Sequence, residues 1–382
     1  AYAIISYQTA YLKTYYPKEF IAASMTMDIS NQNKLSEFYE ELKRLNIKVV
    51  RPNINECYAD FRTNSENFYY ALGGIKAVGF EAISNIIDER EKNGKFESIT
   101  DFLNRVNPKD INKLQLEGLV KAGAFDKLKL NRRSLYDSIP NFITKSKNVF
   151  ENKSANQIDL FGENVNEEDE IITKKEDWKF EERLSKEFEA VGFFISDHPL
   201  NQYKEIFEDY NILDYQTFNS NDDYKETNIA ATLLKIQERK TAKGNAYAVL
   251  KLTDLSSVFE LFIFSDILEL NRETLKEGNS FILTLIKSIS NEENRFKRIN
   301  VQKIASLKEL LSKPIKEVTF NLKSLKELDE ISNYLIKSGE TSIKIKISDD
   351  QNHFDFKLEN NRDIDRKTIN ILKNKEILAK IS

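Results

Sequence analysis

The spacing of apolar and polar positions changes along the chain from a helical period to an alternating one. Residues 3–24 and 33–46 place apolar side chains three and four positions apart, which predicts amphipathic helices with a break at Pro17. Short helical pieces punctuated by glycines continue over residues 66–140. From about residue 226 apolar and polar residues alternate, which predicts strands. The pattern therefore predicts a multidomain α+β protein.

Five strands are predicted in the second part, with a helical piece between the third and the fourth. Three strands, one helix and two strands is the order of an OB-fold β-barrel, which we predict for residues 225–310. The last segment, residues 315–382, alternates strands and helices. It is predicted to form a small C-terminal α+β domain.

Residues 141–177 lose the helical period and are rich in Asn, Ser, Glu and Asp, which is the composition of a linker. A helical connector is predicted to follow over residues 178–224. Inside the linker, the stretch "SANQIDLFGENVNEEDE" (154–170) carries three large apolar side chains among polar ones. Apolar side chains left in water are unfavourable, so this stretch needs a binding partner or a place to pack.

Composition limits the number of domains, the cellular location and the kinds of partner that the chain can have. A chain of 382 residues is long enough for about three domains. We expect a cytoplasmic protein without membrane contact, because no apolar run has membrane-spanning length and the first residues do not resemble a signal peptide. Cys57 is the single cysteine, which excludes an internal disulfide, and we expect it to be buried. The net charge is −4, but residues 1–150 carry a balance of +4, which permits contact with DNA.

One glycine turn suggests a phosphate site. In "ALGGIKAVGFEAISNIIDER" (71–90) we predict a short helix ending near Ala77, a turn, and a second helix from Phe80. Gly79 would let the backbone approach a phosphate, which the free N–H groups of the new helix could hold. The arrangement resembles a helix-hairpin-helix, although Ala77 stands where the usual pattern has its first glycine. The candidate DNA contacts here are Lys76, Val78, Gly79 and Phe80.

A second candidate hairpin is "LEGLVKAGAFDKL" (116–128), with Gly123 at its bend and Arg132 and Arg133 beyond it. Glycine also ends about a third to a half of ordinary helices, so each hairpin alone fits a plain helix cap equally well. Two such turns in one basic, helical segment favour DNA binding.

The predicted barrel suggests a second nucleic-acid surface. OB-folds bind single strands through basic loops and aromatic stacking. The loop between the first two strands offers four candidate contacts: Arg239, Lys240, Lys243 and Tyr247. On the third strand, Phe259 lies on the opposite face from Phe262 and Phe264. We interpret Phe262 and Phe264 as barrel interior.

No catalytic or metal-binding residues are predicted. Phosphoryl transfer needs carboxylates that converge from rigid strands, whereas the acidic pairs here sit in polar turns. His198 and His353 are the two histidines, and neither has a cysteine nearby to complete a zinc site.

Several blocks together resemble one protein family. They are "AYAIISYQTAYLKTYYPKEFIAA", "RPNIN", "LGGIKAVG", "LVKAGAFDKL" and "ERLSKEFEAVGFFISDHPL". In this order they are similar to the C-terminal part of the alpha subunit of bacterial DNA polymerase III, a C-family replicative polymerase. The resemblance implies that residues 1–60 end the polymerase fingers, 61–140 form a tandem helix-hairpin-helix domain, 225–310 the OB domain, and 315–382 a domain that contacts the tau subunit of the clamp loader.

The resemblance also implies which activity and cofactor the whole parent protein would have. The parent would be a nucleotidyltransferase that uses Mg²⁺, and its catalytic aspartates would precede residue 1 of this chain. This segment itself would need no cofactor. Its implied partners are primer-template DNA, single-stranded template, the sliding clamp and tau.

The same resemblance gives the apolar stretch in the linker a role. "QIDLF" is similar to the family's clamp-binding peptide, Gln-x-x-Leu-Phe, in which the two apolar residues fill a pocket on the beta clamp. A tag that folds back on its own domain is the alternative. The residues concerned are Gln157, Ile158, Asp159, Leu160 and Phe161.

Three other functions remain open from the sequence. A stand-alone nucleic-acid-binding module with hairpins and an OB barrel has the same predicted parts. A segment of an NAD-dependent DNA ligase also combines them, but it predicts an adenylylation lysine motif or a four-cysteine zinc knuckle, which Cys57 alone cannot form. An RNA-binding OB module of a tRNA synthetase predicts tRNA affinity that is independent of the hairpins.

Overall fold

The computed structural model divides the chain into two compact units, Ala1–His198 and Pro199–Ser382. The residues whose structure is described are 2–154, 171–241, 244–289, 297–312, 315–349, 352–375 and 377–381. The predicted clamp-binding peptide and Lys243 lie outside these residues. The boundary between the units falls inside the predicted connector, residues 178–224.

Helices, single turns of 3₁₀ helix and a small sheet build the first unit. They are α1 (Tyr2–Tyr15), α2 (Pro17–Met27), α3 (Gln32–Arg44), α4 (Phe80–Asn93), α5 (Ile99–Arg105), α6 (Lys113–Lys121), α7 (Arg132–Asp137), α8 (Ile139–Ser154) and α9 (Phe180–Val191). Single turns of 3₁₀ helix lie at Leu72–Gly74, Pro108–Asp110 and Asp126–Leu128. A small sheet has the order β1-β3-β2, with strands β1 (Val49–Val50), β2 (Arg62–Thr63) and β3 (Phe68–Tyr69).

Local sequence explains several helix ends. α1 ends before Pro17 and α2 begins at it, because proline suits the first position of a helix and not its interior. The Asn31 side chain caps α3 by accepting a hydrogen bond from the Lys34 N–H at 3.3 Å. α3 then buries the apolar stripe that its spacing predicts, including Leu35, Tyr39 and Leu42. These side chains join one continuous core that extends through α4 to α9.

The structure differs from the predicted linker at residues 141–177. Residues 141–154 continue α8, which is anchored by the buried side chain of Phe142. Beyond residue 170 the chain returns to the same unit, where the Ser138 hydroxyl accepts a hydrogen bond from the Thr173 N–H at 2.8 Å. The polar composition misleads the prediction here because few side chains attach this segment: the buried Ile172 packs into the core, and buried serines accept hydrogen bonds from its backbone.

α1 is apolar but buries none of its residues. Tyr2 is 88% exposed and Tyr7 is 70% exposed. Within the described residues, no helix combines the length and the apolar character needed to cross a membrane.

The second unit begins with a 3₁₀ helix at Pro199–Ile206 and continues through helices and long strands. These are α10 (Tyr215–Ser220), β4 (Glu226–Lys240), β5 (Ala246–Thr253), β6 (Val258–Phe264), α11 (Ser265–Asn271), β7 (Ser280–Ile289), β8 (Lys297–Ser306) and α12 (Leu307–Ser312). The predicted order of three strands, a helix and two strands is confirmed.

The strands β4 to β8 form one antiparallel sheet in the order β6-β5-β4-β7-β8. Among the described residues, β6 and β8 lie at the two edges, and no ladder of hydrogen bonds joins them. The sheet is therefore open, and the predicted closed OB-fold barrel is not confirmed.

The side chains of β6 alternate between the core and the surface. Phe259 is 7% exposed and lies in the core of the sheet. Phe262 and Phe264 are 50% and 46% exposed on the other face. The interpretation that these two are interior residues is wrong, because Leu261 and Ile263 fill the interior on the same face as Phe259.

The C-terminal segment forms a small α+β layer, as predicted. Its elements are β9 (Glu317–Leu322), α13 (Leu325–Ser332), β10 (Ser338–Asp349), β11 (Asn352–Lys357), α14 (Arg366–Asn374) and β12 (Leu378–Ile381). The sheet order is β11-β10-β9-β12, with β9 and β10 parallel. The last strand, β12, was not part of the prediction. An ion pair of Arg366 with Asp209, 2.5 Å between nitrogen and oxygen, binds α14 to the segment that precedes β4.

Cys57 is fully buried in the first unit, as expected. Its Sγ lies 3.2 Å from the Arg51 carbonyl oxygen, and burial raises the pKa of the thiol to about 12. Because the thiolate is the reactive form, this cysteine is protected while the unit is folded.

We expect a thiol reagent such as dithionitrobenzoate to modify the native chain at pH 8 at least about a hundred times more slowly than the unfolded chain. The measurement is the release of thionitrobenzoate with and without guanidinium chloride. Rapid, stoichiometric modification of the native chain would contradict the burial of Cys57.

Candidate nucleic-acid interfaces

The first predicted hairpin is a tight turn that leads into α4. The preceding 3₁₀ helix ends at Gly74, so the helix before the turn is shorter than the predicted one, which ended near Ala77. α4 begins at Phe80 with Gly79 as its N-cap, as predicted. Gly79 is exposed and no side chain caps α4, so the N–H groups of its first turn have no side-chain partner. A helix end of this kind attracts anions.

Three of the four candidate contacts of this hairpin lie together at the surface. Lys76, Gly79 and Phe80 are exposed, and the Phe80 ring is half exposed at the first position of α4. Val78 is 7% exposed and packs into the core. Any contact of Val78 with DNA would therefore be made by its backbone, and the contact stays a prediction.

Ala77 adopts the left-handed backbone conformation, with φ of +62°. This is the position at which the hairpin pattern has its first glycine, and a residue with a Cβ costs about 1–2 kcal/mol there. Two hydrogen bonds flank the strained residue. The Lys76 N–H donates to the Ala190 carbonyl oxygen at 2.8 Å, and the Val78 N–H donates to Ile75 at 3.2 Å. The surrounding structure therefore holds the turn despite the missing glycine.

Helix α6 lies directly behind this turn. A Cβ added at Gly118 of α6 would be 2.8 Å from the Lys76 carbonyl oxygen and 3.1 Å from the Val78 side chain. No side chain fits in that space, so Gly118 allows the helix of the second hairpin to support the turn of the first. Sequence reasoning missed this residue, because a glycine inside a helix gives no signal of what it contacts.

The second hairpin holds no phosphate site at its bend. Gly123 has a φ of +82° and is buried, and the space beside it is filled by the Arg132 guanidinium. Arg132 is 4% exposed, and its Nη2 lies 2.7 Å from an Asp126 carboxylate oxygen. The prediction that Gly123 and Arg132 contact DNA is therefore wrong. Glycine is needed here for a left-handed helix end and for room beside an internal arginine.

Arg132 belongs to a buried ionic network. Its Nη1 donates to the Lys121 carbonyl oxygen at 2.9 Å and lies 3.4 Å from the Glu187 carboxylate, which is fully buried in α9. The other Glu187 oxygen accepts hydrogen bonds from the N–H groups of Ile195 and Ser196, each at 2.8 Å. The network connects α6 and α7 to α9 and the chain after it. Arg133, the neighbouring candidate, is half-buried and stays a predicted DNA contact.

The outer face of the second unit's sheet carries an aromatic and basic surface. Arg239 of β4 pairs with Tyr247 of β5, which pairs with Phe264 of β6, so the three side chains lie in one row across the strands. Phe262 lies on the same face, two residues before Phe264. From β8, the Arg298 guanidinium lies 5.9 Å from the centroid of the Phe264 ring.

Of the two other basic candidates of this region, the structure places one. Lys240 pairs with Ala246 and therefore faces away from the row of Arg239, and Lys243 lies outside the described residues. Sequence reasoning missed Phe262, Phe264 and Arg298. One signal was present, since Glu260 shares the face of the two phenylalanines and a carboxylate in that register indicates an exposed face.

Among the residues that the structure describes, no group of three or more His, Cys, Asp or Glu is placed to hold a metal ion. The Asp222 carboxylate instead lies 2.7 Å from the Lys297 amine, and this hydrogen bond lowers the pKa of the carboxyl.

Known proteins resemble this chain in both parts. Residues 46–135 match the family model for the helix-hairpin-helix motif. The chain is similar to the DNA polymerase III subunit alpha of Borreliella burgdorferi, with 32% identity over 380 residues that cover 94% of this chain and 32% of the relative. The subunit alpha of Campylobacter jejuni is 34% identical over a match that covers 73% of this chain and 24% of the relative. The subunit alpha of Rickettsia bellii is 37% identical over a match that covers 70% of this chain and 25% of the relative. The predicted resemblance to this subunit is confirmed, and the chain spans about a quarter to a third of these relatives.

Replacing Arg132 by Ala should lower the free energy of unfolding of the first unit by about 3 kcal/mol, because Glu187 is left in the core without its cation. Urea unfolding followed by the fluorescence of Trp178, which is buried in the same unit, measures this change. Arg133→Ala is the matched control and should cost less than about 1 kcal/mol. An Arg132→Ala midpoint equal to the wild-type midpoint would show that the network contributes nothing.

Proposed function

We propose that this chain is a DNA-holding segment of a bacterial replicative polymerase. In this proposal the first unit grips the backbone of primer-template DNA, the second unit binds the single-stranded template, and the peptide at residues 157–161 attaches the polymerase to the sliding clamp. The proposal rests on the geometry of the first hairpin together with the similarity to DNA polymerase III alpha subunits.

The exposed start of α4 is the single observation that carries the DNA-binding role. Its first-turn N–H groups have no side-chain cap, Gly79 leaves space in front of them, and Lys76 is exposed three residues before Gly79. A phosphate at this position accepts hydrogen bonds from the backbone and interacts favourably with the helix dipole and with the lysine. Such contacts reach no base edge, so the grip is independent of DNA sequence.

The replication context comes from the relatives. Each of the three is a DNA polymerase III subunit alpha, a polypeptide three to four times as long as the region matched here. We assign nucleotide transfer with Mg²⁺ to other parts of such a protein, because this chain matches about a quarter to a third of each relative. Contact of residues 315–382 with the tau subunit is part of the same proposal.

The flanks of the clamp-binding peptide support its role as a tether. α8 ends at Ser154, and the chain is again in contact with the first unit at Ile171, whose carbonyl oxygen accepts a hydrogen bond from the Asn141 side chain at 3.2 Å. Both flanks therefore belong to the unit that we propose binds the duplex. A clamp attached here would lie close to the DNA that it encircles, which raises the effective concentration of a weak contact.

The motif itself gives a rough affinity. Burial of Leu160 and Phe161 contributes about 1.5–3 kcal/mol each. Ordering the peptide opposes this gain, so the isolated contact is weak and depends on the tether.

For the duplex contact, we expect Gly79→Asp to weaken binding of duplex DNA at least about tenfold, because the carboxylate would cap α4 and occupy the position of the phosphate. A Cβ at Gly79 meets only the Ala82 side chain, at 3.9 Å, so the variant should fold. Lys76→Ala should lower the slope of log K against log salt by about 1.

Lys92→Ala, at the far end of α4, is the control with the same change of charge. Fluorescence anisotropy with a labelled duplex at several salt concentrations measures both effects. Equal affinity of Gly79→Asp and wild type for duplex would rule out the hairpin as the DNA site.

For the clamp contact, replacing Leu160 and Phe161 together by Ala should abolish binding to a sliding clamp immobilised on a sensor, because the pocket loses both apolar side chains. Asp159→Ala, at a position that the motif leaves variable, should retain binding. Unchanged affinity of the double variant would remove the tether from the proposal.

A further inference from the structure

Phe80 carries a large apolar ring at the start of α4, where it is 50% exposed. Its ring lies over Gly73. A Cβ added at Gly73 would be 3.1 Å from Cδ2 of Phe80 and 2.6 Å from the Ala59 carbonyl oxygen, so no side chain fits there. The ring therefore rests on backbone at Gly73 while about half of the residue stays in contact with solvent. An apolar surface that is held in place and left in water indicates a ligand with an apolar part.

The position of Phe80 in the helix directs its side chain toward the proposed phosphate site. Phe80 is the first residue of α4, and Gly79 is the N-cap. In an α-helix each Cα–Cβ bond tilts toward the N-terminus, and long side chains point back over the preceding turn. The contact of the ring with Gly73, which precedes the hairpin turn, agrees with this direction. A phosphate held by the first-turn N–H groups would therefore have the ring beside it.

The group beside a phosphate in a nucleic-acid strand is a sugar. At its 2′ position a deoxyribose carries only hydrogens, whereas a ribose carries a hydroxyl that both donates and accepts hydrogen bonds. An apolar ring packs favourably on the deoxyribose. A ribose hydroxyl covered by the ring would lose its water, and burying a hydroxyl without a hydrogen-bond partner is unfavourable.

The polar side chains next to Phe80 on α4 are poorly placed to replace that water. Ser84 lies one turn further along the same side of the helix, but its hydroxyl donates to the Phe80 carbonyl oxygen at 3.0 Å. Glu81 is the next residue, and neighbouring positions of a helix do not face each other. The surroundings of the ring on this helix therefore favour a sugar without a 2′ hydroxyl.

We propose that Phe80 packs on a deoxyribose next to the phosphate held by α4, and that this contact makes the hairpin select DNA over RNA. The proposal rests on the proposed function, because it needs the phosphate at the start of α4, and on the match of residues 46–135 to the helix-hairpin-helix motif. Contacts with phosphates alone cannot separate the two polymers, since both carry them. The 2′ position is where DNA and RNA differ at a given site.

The test measures, by fluorescence anisotropy, the binding of the full chain to three labelled duplexes of one sequence. All three contain uracil, and they carry hydrogen, fluorine or hydroxyl at the 2′ position. The fluorine duplex has the helix shape of RNA but no hydroxyl, so its comparison with RNA separates the hydroxyl from the shape. The wild-type chain should bind the fluorine duplex about tenfold more tightly than the RNA duplex, because only the hydroxyl loses water without gaining a partner.

Phe80→Ser should reduce this preference to about twofold or less, because water and the serine hydroxyl can then reach the 2′ hydroxyl. Phe80→Leu keeps an apolar side chain and should retain most of the preference. Phe180→Ser is the matched control. Phe180 is also the first residue of a helix without a side-chain cap, α9, and is 39% exposed, but Glu181 and Glu182 in the first turn compete with an anion for that helix end. This control should keep the wild-type preference.

The possible outcomes separate the sugar contact from the phosphate contact. An unchanged preference in Phe80→Ser would overturn the role of the ring, as would a loss of equal size on all three duplexes. If the wild-type chain binds the fluorine and RNA duplexes equally, or binds only the DNA duplex, selection by the hydroxyl is overturned and the proposed grip on duplex DNA stands. If it binds none of the three, the proposed grip on DNA fails together with this assignment.

Discussion

The close contact between α6 and the turn before α4 determines the shape of the first unit's binding surface. The backbone of the turn passes so near Gly118 that no side chain fits between them. Ala77 is held in a left-handed conformation that alanine does not favour, and the hydrogen bond from Lys76 to Ala190 adds a second fixed point. Because the turn is constrained from both sides, the start of α4 keeps its free N–H groups at the surface.

A buried ion pair gives the same unit its internal order. Glu187 has no exposure to solvent, yet two backbone N–H groups and Arg132 satisfy its oxygens. A charge in this position is tolerated only when it is paired and hydrogen-bonded. Arg132 follows a glycine turn, and its position in the chain predicted a contact with DNA. In the folded structure its side chain instead joins helices of the first unit.

Each of the two units presents its own exposed surface. The hairpin presents backbone N–H groups and a lysine, which suit the phosphates of a duplex whose bases are covered. On the outer face of the second unit's sheet, Phe262 and Phe264 are about half exposed and the Arg298 guanidinium lies beside the Phe264 ring.

The sequence by itself determined the order of elements, the turn at Gly79, the burial of Cys57 and the resemblance to polymerase III alpha subunits, because these depend on local spacing and residue type. It also determined that Phe259 and Phe262 lie on opposite faces of one strand, since side chains alternate along β-structure. Only the tertiary structure decided which of those faces is buried, that α8 extends into the predicted linker, and that Arg132 points inward. Each of these depends on which distant side chains fill the neighbouring space, and a pattern along one chain carries no record of that packing.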